Sequence, residues 1–128
     1  MTQEERMLLI KDLSARLPYA VTVEHTSGFR GTLHDITIHH MYDDNDNIYN
    51  AICYTDFFGD EDSIYIEYFK PYLFPISSMT EEERMEIGNE CAYGQPHKAM
   101  DILHKRHIDY RGLIPMGLAI DATDKNIY

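Results

Sequence analysis

The chain has 128 residues, with 22 acidic and 11 basic side chains, a net charge of −11 and 44% hydrophobic residues. That length fits one domain of about 100–150 residues, large enough to bury a core without staples, and no stretch approaches the ~20 apolar residues of a membrane span. Residues 18–70 hold ten acids and two bases, so direct binding to a nucleic-acid backbone, which needs clustered Lys and Arg, is disfavoured there.

Thr2 and Glu5 stand at capping-box spacing, and Leu9, Ile10, Leu13 and Leu17 follow with helical period, which predicts a helix over 3–16 ended by Pro18. The period then falls to two. YAVTVEH (19–25) reads as a strand and TSG (26–28) as a turn. In FRGTLHDITIHH (29–40), Phe29 and Leu33 share one parity while Ile36 and Ile38 share the other. One strand buries both sets only with an extra residue, so a bulge is predicted near His34–Asp35. YDDNDN (42–47) is turn chemistry, IYNAICYT (48–55) a strand, DFFGDED (56–62) a second turn and SIYIEYF (63–69) a strand. KPYLFPISSM (70–79) has two prolines, which forbid a central strand and leave an edge strand or a crossing segment. Thr80 and Glu83 open a second helix over 80–91, YGQP breaks it, and Pro96 starts a third over 97–106. The predicted class is α+β: an N-terminal helix, a four- or five-stranded antiparallel meander, then two helices and a short C-terminal turn and strand. The sheet would be either a small SH3-like or Sm-like barrel or open.

In HIDYRGLIPMGLAIDA (107–122), Asp109 is a candidate cap for the amides of Arg111 or Gly112, and Gly117 a left-handed stop. Leu113, Ile114, Met116, Leu118 and Ile120 then anchor the tail, at about 2 kcal/mol for each buried Leu or Ile, so cutting the chain after Arg106 should unfold it. Only Tyr110 and Arg111 are left there as surface contacts.

The sharpest local cluster is HHMYDDNDN, where His39, His40, Asp43, Asp44 and Asp46 could hold a divalent metal. An EF-hand does not fit, because position six from Asp43 is Ile48 and position twelve is Tyr54. His39 and His40, being adjacent, point to opposite faces of a strand. A solvated turn rich in Asp and Asn is the plainer reading. Asp60, Glu61 and Asp62 read as a second solvated tip. The sequence has no Gly-rich phosphate loop, no H-E-x-x-H, no G-x-S-x-G and no C-x-x-C. Cys53 and Cys91 lack metal-type spacing and read as buried, reduced thiols. No cofactor is implied. Tyrosine is the oddity, ten residues with no Trp. Tyr suits interfaces, with a large apolar body and a polar tip, and Tyr49, Tyr65 and Tyr68, with Tyr110 and Arg111, are the candidate binding residues.

KDLSARLPYAV (11–21), KPYLFPISSMTEEE (70–83) and HIDYRGLIPMGLAID (107–121) together resemble a family of short proteins, with no assigned activity, from gut Bacteroidetes genomes and the phages and mobile elements they carry. The resemblance covers about a third of the chain. It implies a cytoplasmic bacterial protein, an accessory gene of phage origin among the options, and implies no catalytic residue.

Three function classes follow. The first is a non-enzymatic protein-binding or regulatory accessory protein that meets a basic partner through an acidic, Tyr-rich sheet surface; a mimic of DNA is one form of it. The second is a self-assembling structural module, a homo-oligomer. The third is a metal-dependent enzyme using the His39–Asp46 hairpin. The lack of a catalytic signature reads against the third, and neither nucleic acid nor membrane is an expected partner.

Overall fold

The computed structural model describes residues 1–42, 47–57 and 60–128, and the side chains of 1–39, 50–56 and 63–128. Helix α1 (Gln3–Arg16) has the predicted two-way cap: the Thr2 hydroxyl accepts from the Glu5 amide at 3.1 Å, and the Glu5 carboxylate accepts from the Thr2 amide at 3.4 Å. Pro18 ends it in a single 3₁₀ turn. Leu9, Ile10 and Leu13 are buried against the sheet.

The strands are β1 (Thr22–His25), β2 (Arg30–Tyr42), β3 (Asn47–Phe57), β4 (Asp60–Tyr65), β5 (Phe69–Pro75), β6 (Ile108–Asp109) and β7 (Ile120–Asp121). They form one sheet in the order β4-β3-β2-β1-β5-β6, with β7 also on β5. β4 and β6 end the sheet on opposite sides, so it is open and the barrel alternative is not adopted. β1 to β5 pair antiparallel, while β6 and β7 run parallel to β5. Helices α2 (Glu81–Ala92) and α3 (Pro96–Lys105) follow β5. The result is an α+β fold with a mixed, open sheet.

The predicted bulge is present. The β2–β3 register shifts between Leu33 and Asp35, which brings Leu33 and Ile36 onto the face that meets α1. The Asp35 carboxylate accepts from the Ile36 amide at 2.8 Å and satisfies a donor at the shift.

Three expectations are corrected. The strand expected over 63–69 stops at Tyr65, and Ile66–Tyr68 is a 3₁₀ turn. Ile66 and Phe69, three apart, are both buried, and three residues per turn is the period that puts them on one side. That turn sends the chain back to β1, so β5 does not extend the meander beyond β4. The turn expected over 56–62 is also shorter, because β3 runs to Phe57 and β4 starts at Asp60.

The third correction is that β5, despite its prolines, has neighbours on both sides. The His25 amide donates to Phe29 and the Leu33 amide to Val21, so odd-numbered β1 residues bond toward β2. Val23 therefore occupies a non-hydrogen-bonded position toward β5, and Pro71 opposite it removes no ladder bond. Pro75 sits at the strand's end.

The tail docks beside β5. Asp109 does cap backbone amides, but two residues further on than the expected Arg111 or Gly112: it accepts from the Leu113 and Ile114 amides at 2.8 Å each. Gly117 takes the expected left-handed φ of +75°. Leu113, Leu118, Ala119 and Ala122 are buried, whereas Met116 is exposed.

Candidate functional site

The densest polar cluster is interior. Arg16 is fully buried and donates to both oxygens of the equally buried Asp12, at 2.8 and 3.2 Å, and to the Ile108 carbonyl at 2.6 Å. Arg111 reaches the same carboxylate at 3.2 Å and the Tyr110 hydroxyl at 3.2 Å. His104 Nε2 meets that hydroxyl at 2.7 Å, and both guanidiniums lie against the Tyr110 ring at 5.0 and 5.3 Å. Two cations share one carboxylate here, so the neighbouring imidazoles are held neutral. Burial, then the Arg16 charge, lowers the His104 pKa and brings that of His107 down to about 4. The donors that bind are spent inside the molecule, on Asp12 of α1, the Ile108 carbonyl of β6 and the Tyr110 hydroxyl, while Arg16 Nη1 and His107 Nδ1 are buried with no partner among the described residues. We read it as the joint between these elements rather than a reacting centre, because a buried pair holds its geometry only when its lone pairs are used internally.

Nucleophiles are equally quiet. Cys53 is buried in β3, and burial pushes its thiol up to about 12, which leaves no reactive thiolate. Cys91, expected to be buried, is exposed. His25 Nδ1 meets the Ser27 hydroxyl, but the same nitrogen takes the Ser27 amide at 3.1 Å, so the contact closes the β1–β2 turn. Among the described residues no three His, Cys, Asp or Glu side chains come together in a way that could hold a metal ion. Of the predicted metal cluster, His39 pairs with Asn50 and His40 with Tyr49 along the β2–β3 ladder; Asp43, Asp44 and Asp46 lie outside the described residues.

The remaining candidate is a surface. Register assigns one face of β2–β3–β4 to α1 and leaves the other without a helix. On this outer face Thr37 pairs with Ile52, Asp35 with Tyr54 and Thr32 with Asp56; Tyr65 continues the Ile52 row and Ser63 the Tyr54 row. Thr37, Ile52 and Tyr54 are half-buried among themselves, and Tyr65 is 45% exposed. Asp35, His39, Asp56 and Ser63 surround them and are exposed. No Lys or Arg occurs between Arg30 and Lys70, while nine acids do. An apolar, aromatic middle with a polar rim that includes Asp35 and Asp56 is the layout of a protein-recognition patch, a dry centre inside a polar rim.

Of the five predicted binding residues, only Tyr65 stands on this patch. Tyr68, 46% exposed, lies in the turn before β5 and lines a groove of about 350 Å³ with Glu24, His25, Glu67 and Lys70. Tyr49 is known here only by its pairing with His40. Tyr110 and Arg111 are half-buried in the interior joint. Sequence reasoning did not place Ile52 and Tyr54 in the site; carrying the bulge's parity change through the β2–β3 register would have found both. No family model matches the sequence, and neither curated proteins nor solved structures show a match to it.

No helix among the described residues is long and apolar enough to cross a membrane.

Proposed function

We propose that the protein is a non-enzymatic binding or regulatory accessory protein, and that the outer face of β2–β4 receives a basic protein partner. The observation that carries this is the uncovered row of Thr37, Ile52, Tyr54 and Tyr65 inside an acid-only stretch of chain. Tyrosines supply contact area at low entropic cost, and the acids steer a cationic surface toward them. A role in the accessory repertoire of a phage or mobile element, in a cytoplasm, accords with the family resemblance.

The test uses immobilised protein in lysate of a gut Bacteroidetes host at low salt. A specific basic protein should be retained, should elute as salt screens the acids, and should be lost by the double variant Tyr54→Ala/Tyr65→Ala with unchanged circular dichroism. Retention of nothing, or of a partner indifferent to both tyrosines, would overturn the reading.

A further inference from the structure

Helix α1 carries a second feature, on the side away from the core joint. Met7, Leu8 and Ser14 line a groove of about 720 Å³ with Gln3, Lys11 and, from β2, Ile38. Ile38 is 53% exposed and Met7 39% exposed, so a methionine and an isoleucine face water across an apolar channel. Glu4 and Lys11 stand on the same stripe, one at each end, and both are exposed.

The order along this stripe is acid, apolar, apolar, base at positions 4, 7, 8 and 11. It is self-complementary about its midpoint. When a second α1 is laid antiparallel on the first, Glu4 meets Lys11, Met7 meets Leu8, and each contact is repeated by the two-fold axis. Isologous interfaces have this form, with residue i on j and j on i. Antiparallel helices also bring the positive end of one dipole to the negative end of the other. The charge distribution selects the same place. Residues 1–17 hold three acids and three bases, whereas 18–70 hold ten acids and two bases. A strongly acidic chain meets a copy of itself at least cost where it is locally neutral.

We infer that α1 is the interface of a two-fold homodimer, closed by Met7 and Leu8 at the axis, by reciprocal Glu4–Lys11 pairs at its ends, and by Ile38 from each β2. The occupant of the groove is a second copy of this chain. This interface lies on the opposite side of the sheet from the patch proposed for a partner, so each stands or falls separately.

Sedimentation velocity on the full chain tests it. The wild-type protein should be a dimer at tens of micromolar. Glu4→Lys alone and Lys11→Glu alone should each weaken association about tenfold or more by setting like charges opposite each other. The combined Glu4→Lys/Lys11→Glu variant should recover it, because the swap restores both pairs. Met7→Cys in a Cys91→Ser background should give a disulfide-linked dimer under mild oxidation, because the two copies of position 7 lie diagonally across the axis, each beside the Leu8 of the other. Both charged side chains are exposed, so circular dichroism should stay constant through the series. A strict monomer at high micromolar concentration would overturn the inference, as would a dimer that neither single reversal weakens and Met7→Cys does not link.

Discussion

The outer face of one sheet is finished in two opposite ways. Over β1 and β5 the tail seals it. Tyr72 is buried there with Arg30 stacked on its ring at 5.2 Å and donating to its hydroxyl at 2.9 Å. The Tyr128 ring stacks on His107 at 3.7 Å and lies 5.9 Å from Phe74. Over β2–β4 nothing comparable arrives among the described residues, and Tyr54 stays half-buried and Tyr65 exposed. The two halves use the same residue type for different ends. Tyr72 is core, with its hydroxyl held by Arg30; Tyr128 ties its hydroxyl to β1 and β5 yet leaves 47% of its surface open; Tyr65 stays 45% exposed on the other half. Tyrosine content alone therefore does not mark a binding face; the face each ring occupies, and what packs on it, does.

The largest expected effect on this contrast comes from the joint that holds the sealed half to α1. Arg16→Met leaves Asp12 buried with Arg111 alone, and breaking a buried pair costs about 3–5 kcal/mol. Urea denaturation should show that loss, and Asp12→Leu added to Arg16→Met should return much of it. A change below about 1 kcal/mol for Arg16→Met would mean that Arg111 already carries the carboxylate.

Next comes acid. His107 is neutral in the fold, with a pKa near 4, and titrates near its ordinary value of 6.5 once unfolded. The unfolded chain thus binds the extra proton between these values. Stability should be full above pH ~6.5, fall as pH drops toward ~4 by up to roughly 3 kcal/mol, and level off below. His104 is shifted in the same direction and adds to the slope. Urea midpoints at pH 4.5 and 7.5 check this, and His107→Phe should flatten the dependence. A midpoint that does not move would show that His107 is not held neutral.

Tyr128→Phe should cost less, about 1–3 kcal/mol, because it removes one hydroxyl and strands a buried acceptor and a donor. The smallest effect belongs to the open half: Tyr65→Ala should change stability by under about 0.5 kcal/mol, as surface changes do, and the half-buried Tyr54→Ala by about 1 kcal/mol. If that pair unfolds the protein, the open face is core after all, and the contrast between the halves fails.

Much of the architecture was legible locally. Both capping boxes, at Thr2 and Thr80, form as their spacing requires, because a cap is decided within four residues. The bulge followed from parity alone. What was not legible depended on distant chain. Asp12 and Arg16, four apart on a helix, look like a solvated surface pair until β6 closes over them. Pro71 reads as a strand breaker unless the hydrogen-bonding phase of β1 is known. The candidate patch was half legible: its tyrosines and acids are plain in the sequence, but which of them share a face depended on register.

The Tyr128 hydroxyl accepts from the Thr22 amide at 3.0 Å and donates to the Tyr72 carbonyl at 2.6 Å. It thus replaces, by a side chain, the rung that β1 and β5 would otherwise form at that level. The two contacts span 106 and 56 residues of chain, and closures of that length come late in folding. The hairpins of β2, β3 and β4 can assemble without them. Thr22 therefore has an amide whose protection depends on the tail and on no neighbouring strand. In native-state hydrogen exchange it should open at a lower free energy than the amides of β2 and β3, and so time the tail's detachment separately from unfolding of the whole.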